Sequence, residues 1–103
     1  MKFHTTFTLP MQDYIKFREL IETESEQEFD KLMNSILNSF KRKEFLVDLD
    51  LVNFQQMRDG IPVSFLIDED HYYYIRDYIR CSSFLKVEYF LNVIVRSLLK
   101  VML

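Results

Sequence analysis

A mainly helical fold carrying one short two-stranded antiparallel ribbon, laid out as β-α-α, connector, β-α-α, is what this sequence predicts. Three observations predict it. The opening stretch KFHTTFTLP alternates polar and apolar residues and stops at a proline. The chain matches itself at an offset of 58 residues. One Gly and two Pro among 103 residues, 49% of them hydrophobic, leave few turns for a many-stranded sheet but enough apolar side chain for a core.

The first strand follows from the alternation. In an extended chain successive side chains point to opposite faces, so Phe3, Thr5, Phe7 and Leu9 share one face and His4, Thr6 and Thr8 the other. A lone strand leaves its backbone donors and acceptors unpaired, and therefore needs a partner from later in the chain or from another copy.

The offset match supplies that partner. Phe7 falls on Phe65, Leu9 on Ile67, Tyr14 on Tyr72, Arg18 on Arg76, Ser25 on Ser83, Asn34 on Asn92, Ile36 on Ile94 and Ser39 on Ser97, without a gap. Each copy has three parts. A short alternating run, TTFTL or VSFLI, comes first. A helix follows, opened by Pro10 at a first turn or by Asp68 as N-cap, with Tyr14, Phe17, Leu20 and Ile21, or Tyr72, Ile75, Tyr78 and Ile79, along one face. Ser25 then starts a capping box, Ser-Glu-Gln-Glu, and Ser83 takes its place in the second copy, where Lys86 replaces the box glutamate. The last helix buries Phe29, Leu32, Met33, Ile36, Leu37 and Phe40, or Val87, Phe90, Leu91, Ile94, Val95 and Leu98. A unit of that size exposes too much apolar surface to stand alone, so the two units are expected to pair strands and share one core. The boundaries are 1–40 for the first copy, 41–60 for a partly helical connector and 61–103 for the second, together one compact domain.

Composition excludes several functions. The formal charge is −3, which gives no general attraction for phosphate. The acidity is local: residues 1–40 hold four basic and seven acidic side chains, while 41–60 hold four of each and 61–103 five of each. The single cysteine, Cys81, reads as a small buried hydrophobe and forms no disulfide within the chain. No apolar run is long enough to span a membrane and no secretion signal opens the chain, so an intracellular protein is expected, in cytoplasm or nucleoid. His4 and His71 lack metal-ligand spacing, a single glycine allows no phosphate-cradling loop, and Asp68, Glu69 and Asp70 read as helix-start complements. Neither an enzyme nor a cofactor is expected.

Strand, helix, capped turn and helix over about forty residues resemble the ribbon-helix-helix transcription regulators of the MetJ/Arc/CopG class. MKFHTTFTLPMQDYIKFREL carries the resemblance, with Thr6-Phe7-Thr8-Leu9 as the typical core of the ribbon; it covers 2–40 well and 61–100 in part. Two copies in one chain are also similar to small regulators of archaeal viruses, whose setting would be the host cell. The resemblance implies a tandem ribbon-helix-helix pseudo-dimer that inserts its ribbon in the major groove of double-stranded DNA. By position the base readers would be His4, Thr6 and Thr8, joined by Ser64 and Leu66 from the second strand, where Pro62 also faces outward. Hydroxyl and imidazole groups can bond base edges, and Leu66 can lie on a thymine methyl. The resemblance also implies phosphate anchoring at the start of the second helix of each copy, by Ser25 in the first and by Ser82, Ser83 and Lys86 in the second. Glu22, Glu24, Glu26 and Glu28 oppose phosphate at the first site, whereas Arg80 and Lys86 favour it at the second. Recognition by such a ribbon is asymmetric.

The connector, KRKEFLVDLDLVNFQQMRDG, matches neither copy. Lys41, Arg42 and Lys43 suit the negative end of a helix, and Asp48 or Asp50 can cap a short helix through Leu51, Phe54 and Met57 that Gly60 ends. Tyr73, Tyr74 and Tyr89 are more aromatic surface than a monomer needs, and self-association is expected, most of all along DNA. The competing function is a protein-binding module, antitoxin-like or inhibitory, on the same scaffold.

Overall fold

The computed structural model describes residues 1–23, 25–53, 55, 58–80 and 86–102. Its elements are strand β1 (Lys2–Leu9), helix α1 (Met11–Leu20), helix α2 (Glu26–Lys41), a 3₁₀ turn (Leu49–Leu51), strand β2 (Ile61–Asp68), helix α3 (Glu69–Ile79) and helix α4 (Val87–Met102). Glu24, Phe54, Met57, Cys81, Ser82 and Ser83, which carried expectations above, lie outside the described residues.

β1 and β2 pair antiparallel within the one chain, with Lys2 opposite Asp68, His4 opposite Leu66, Thr6 opposite Ser64 and Thr8 opposite Pro62. This register sends Phe7, Leu9, Val63, Phe65 and Ile67 to one face, where they are buried. Phe7 and Phe65 meet edge to face there, their ring centres 6.1 Å apart, as the quadrupoles of aromatic rings favour. All four helices gather on that face. α4 lies chiefly against β1 and α2 against β2, so each half places its long helix beneath the other half's strand.

Local chemistry fixes the helix ends. Pro10 occupies the N-cap of α1 rather than its first turn, and its carbonyl accepts the first helical bond from the Tyr14 amide at 2.8 Å. Ser25 caps α2 by accepting from the Glu28 amide at 3.3 Å, but the other half of the box closes through Thr23, whose hydroxyl donates to the Glu28 carboxylate at 2.8 Å. α2 ends in a Schellman motif: the Lys43 amide bonds the Phe40 carbonyl, the Glu44 amide bonds the Ser39 carbonyl, and Lys43 adopts φ 58° in the left-handed region. Asp68 stands at the N-cap of α3 without capping it; its carboxylate lies between Lys2, at 3.9 Å, and His71, at 3.8 Å.

The inward stripes differ from the expectation in detail. Phe17, Ile21, Met33, Leu37, Phe40, Ile75 and Ile79 are buried, but Leu20 is 48% exposed because α1 ends at that residue and turns only Phe17 and the following Ile21 fully inward. Leu32 and Tyr78 are also exposed, although the Tyr78 ring still covers Phe40 and Phe90 at centroid distances of 5.4 and 5.3 Å. His71 is buried in α3.

The expected fold, a mainly α tandem ribbon-helix-helix pseudo-dimer, is corrected by these observations. Among the described residues the elements are a two-stranded antiparallel sheet and four α-helices in the order β-α-α-3₁₀-β-α-α, and the halves are not interchangeable. The connector is the reason. Asp48 caps the 3₁₀ turn, its backbone amide bonds Ser97 Oγ at 2.9 Å, and its carboxylate accepts from Lys100 at 2.8 Å. Arg96 donates to the Leu51 carbonyl at 2.6 Å. These contacts lay the connector along α4, which buries residues around nearly its whole circumference: Val93, Ser97 and Leu99 join Val87, Phe90, Leu91, Ile94 and Val95. α2 receives no such cover and keeps one buried stripe. Of the short helix expected through Leu51, Phe54 and Met57, Leu51 lies in a three-residue 3₁₀ turn, Gln55 and Arg58 are helical, and Phe54 and Met57 lie outside the described residues.

Candidate nucleic-acid interface

Among the described residues no helix covers the outer face of the ribbon. Lys2, His4, Thr6, Ser64 and Leu66 are exposed on it, Thr8 is half-buried, and Pro62 is exposed opposite Thr8. The five residues expected to read bases are thus brought together on one surface in three cross-strand rows: His4 with Leu66, Thr6 with Ser64, Thr8 with Pro62. In the central row the Thr6 and Ser64 hydroxyl oxygens are 2.7 Å apart and hydrogen-bonded. One of them donates to the other, so the pair offers one further O–H and open lone pairs. Leu66 is 38% exposed. The face is divided lengthwise, with hydrogen-bonding groups along β1 and the apolar Pro62 and Leu66 flanking Ser64 on β2.

Two asparagines that matched each other in the sequence hold the ribbon's edges. Asn34 on α2 donates to the Leu66 carbonyl at 2.9 Å and accepts from the Asp68 amide at 2.9 Å, while Asp30 accepts from the Leu66 amide at 3.0 Å. Asn92 on α4 donates to the Thr8 carbonyl. Each helix thereby clamps the strand of the opposite half and occupies edge groups that would otherwise template another strand. The register of the outward residues rests on these clamps. Sequence reasoning recorded the Asn34 and Asn92 match without a role for it; the signal was that two asparagines recur at equivalent places in otherwise apolar helix stripes.

The two flanks of the ribbon differ in charge. Beside β2 and the start of α2 a cleft of about 450 Å³ is lined by His4, Tyr14, Arg18, Ser25, Glu26 and Ser64, among others. Ser25, expected to anchor phosphate, spends its hydroxyl on the helix cap and stands among Glu22, Glu26 and Glu28. Arg18, which no sequence argument singled out, is the cation of this cleft; its guanidinium lies over the Tyr14 and Phe29 rings at 5.5 and 5.6 Å. On the other flank a cleft of about 420 Å³ is lined by Tyr72, Arg76, Arg80, Lys86 and Glu88. Arg76 sits over the Tyr73 ring at 4.5 Å. Of the second set of expected anchors, Lys86 is exposed in this cleft, and Ser82 and Ser83 lie outside the described residues. Like charges oppose a phosphate at the first flank and three cations to one carboxylate favour it at the second.

Among the described residues no helix is long and apolar enough to cross a membrane. No family model, curated protein or solved structure matches the chain.

Proposed function

We propose that this chain is a sequence-specific double-stranded DNA-binding transcription regulator that lays the outer face of its β-ribbon in the major groove. The observation that carries the reading is the row structure of that face, with His4, Thr6, Thr8 and Ser64 exposed or half-exposed on the side of the ribbon away from the described helices. A two-stranded ribbon has the width of the major groove, and hydroxyl and imidazole groups are competent to bond base edges there. The basic flank at Arg76, Arg80 and Lys86 supplies phosphate contacts, and the acidic flank at Glu22, Glu26 and Glu28 supplies none, so a single chain engages one side of its site more strongly. The opening resemblance to ribbon-helix-helix regulators points to the same activity. Copies of the chain bind side by side along the DNA, and the exposed Tyr73, Tyr74 and Tyr78 of α3 provide apolar surface for that association.

The test is fluorescence anisotropy with DNA from upstream of the chain's own gene against scrambled competitor, repeated with His4, Thr6 and Thr8 all changed to Ala. A preference for the native fragment that the triple variant loses while it remains folded supports the reading. Absence of any preference, there and in a random-sequence selection, overturns it in favour of a protein-binding module that uses the acidic flank and Leu66.

A further inference from the structure

The two halves line one equivalent place with different chemistry. At the 58-residue offset Arg96 corresponds to Asn38 and Asp13 to His71. In the second half the place is partly filled: the Arg96 guanidinium, largely buried, bonds the Asp13 carboxylate at 3.2 Å, the Leu51 carbonyl of the connector at 2.6 Å and Asn92 Oδ1 at 3.5 Å, and a smaller cleft of about 270 Å³ remains beside them. In the first half it is open. A cleft of about 350 Å³ is lined by Lys2, Lys31, Asn34, Ser35, Asn38, Asp68 and His71, every one of them polar. The short Asn38 leaves space where Arg96 stands on the other side, and no described connector residue lines it.

The groups lining this cleft are two ammoniums, one carboxylate, a buried imidazole and neutral donors. The His71 side chain is 8% exposed; its Nδ1 lies 3.3 Å from Lys41 Nζ, and an ammonium can only donate, so Nδ1 accepts and the ring proton is on Nε2. Nε2 is 3.8 Å from Asp68, beyond hydrogen-bond distance. Lys2 and Lys31 line the cleft with one carboxylate, that of Asp68, which is itself shared with Lys2 at 3.9 Å, while Lys41 and Asp70 act on His71 with opposite sign. Where the second half holds Asp13 against Arg96, the first half holds two lysines and an N–H donor beside Asp68.

We infer that this cleft binds a small oxyanion, a phosphate or carboxylate group, received by Lys31, Lys2 and the His71 Nε2–H with Asn38 and Ser35 as neutral donors. Charge-assisted bonds to such a group are short and strong compared with neutral ones. The oxyanion is either a free small molecule or a phosphate of the DNA backbone. Lys2 belongs to the outer face of the ribbon, so occupancy draws its ammonium from Asp68 toward the cleft and couples the site to the end of that face. The inference does not depend on base reading by the ribbon.

The experiment follows the His71 ring resonances by NMR while inorganic phosphate is added at constant ionic strength, with chloride as control, in the wild type, in Lys31→Gln and in Asn38→Arg. Asn38→Arg places in this cleft the side chain that occupies the equivalent place in the second half. A saturable shift is expected with phosphate alone, weakened about tenfold in Lys31→Gln, as loss of one charge-assisted contact implies, and abolished in Asn38→Arg. A short DNA duplex added to the phosphate-loaded protein leaves the shift in place if the ligand is a free anion and replaces it if a backbone phosphate takes the site. Shifts that match chloride in the wild type with no response to the duplex, or a phosphate response unchanged in a folded Asn38→Arg, overturn the assignment.

Discussion

Thr6 and Ser64 occupy the same position of the two matching segments and are each other's partner across the ribbon, their hydroxyl oxygens 2.7 Å apart. The offset of 58 and the antiparallel register coincide at this one row, so the pair marks the centre of the outer face. Because one hydroxyl donates to the other, the two present themselves to DNA as a unit with a single spare proton. Thr6→Ala and Ser64→Ala should each cost about 1–2 kcal/mol of preference for the native fragment over scrambled DNA, within the range of one base contact, and the double variant less than their sum. Stability should change by less than about 0.5 kcal/mol, since both side chains are exposed. A double-mutant cycle by anisotropy checks this, and strict additivity would show that the hydroxyls act independently.

Asn34 makes three bonds from a buried position: it donates to the carbonyls of Asp30, at 2.8 Å, and Leu66, and accepts from the Asp68 amide. Asn34→Ala therefore strands two groups of β2 and should lower stability by about 2–4 kcal/mol, the scale of unpaired buried polar groups. Asn92→Ala removes the clamp on the Thr8 carbonyl and should also destabilise, by about 1–3 kcal/mol. Urea unfolding midpoints at constant slope measure both. Equal stability of wild type and Asn34→Ala would mean that water replaces the clamp.

The strands, their faces and most of the inward helix positions were legible because alternation at period two and recurrence near 3.6 are written in residue type alone. The outward set His4, Thr6, Thr8, Ser64 and Leu66 followed from that alternation, and the structure brings it to one surface. What escaped was set by tertiary partners. Asn34 and Asn92 look like solvent-facing residues until a strand edge is placed against them. Arg96 looks like an exposed helix cation until the connector returns its Leu51 carbonyl and α1 its Asp13. Leu20 and Leu32 look buried because apolarity predicts burial only if an element lies opposite, and none covers them fully. The unlike halves could not be read from a matching sequence, since the difference arises where the connector lies on α4 alone.

Arg96 ties α4, α1 and the connector together through Asp13, Leu51 and Asn92. Arg96→Ala removes a largely buried cation from a carboxylate and a carbonyl, and should cost about 2–4 kcal/mol, short of the full loss for a deeply buried pair because Asp13 remains partly exposed. The connector should loosen first. Hydrogen exchange at the Leu51 and Val52 amides, which close the 3₁₀ turn, should speed up in the variant more than exchange in β1. Uniform acceleration through both regions would mean that Arg96 supports global stability without a separate hold on the connector.

His71 gives stability a pH dependence whose sign is fixed by its surroundings. Burial disfavours the imidazolium, and the Lys41 ammonium opposes it further, so the folded ring titrates below its ordinary value of 6.5 although Asp68 and Asp70 pull the other way. The remaining charges of the cleft are Lys2 and Lys31, both cationic. The unfolded chain therefore takes up a proton near pH 6.5 before the folded chain does. The stability associated with His71 is complete above that pH and is lost as pH falls through 6.5 toward the lower folded value. Urea midpoints measured from pH 7.5 to 5 in buffers free of phosphate and carboxylate should fall for the wild type. In His71→Gln, whose amide can still accept from Lys41 but takes up no proton, that part of the slope should vanish. An identical slope in the variant would show that groups other than His71 carry the loss.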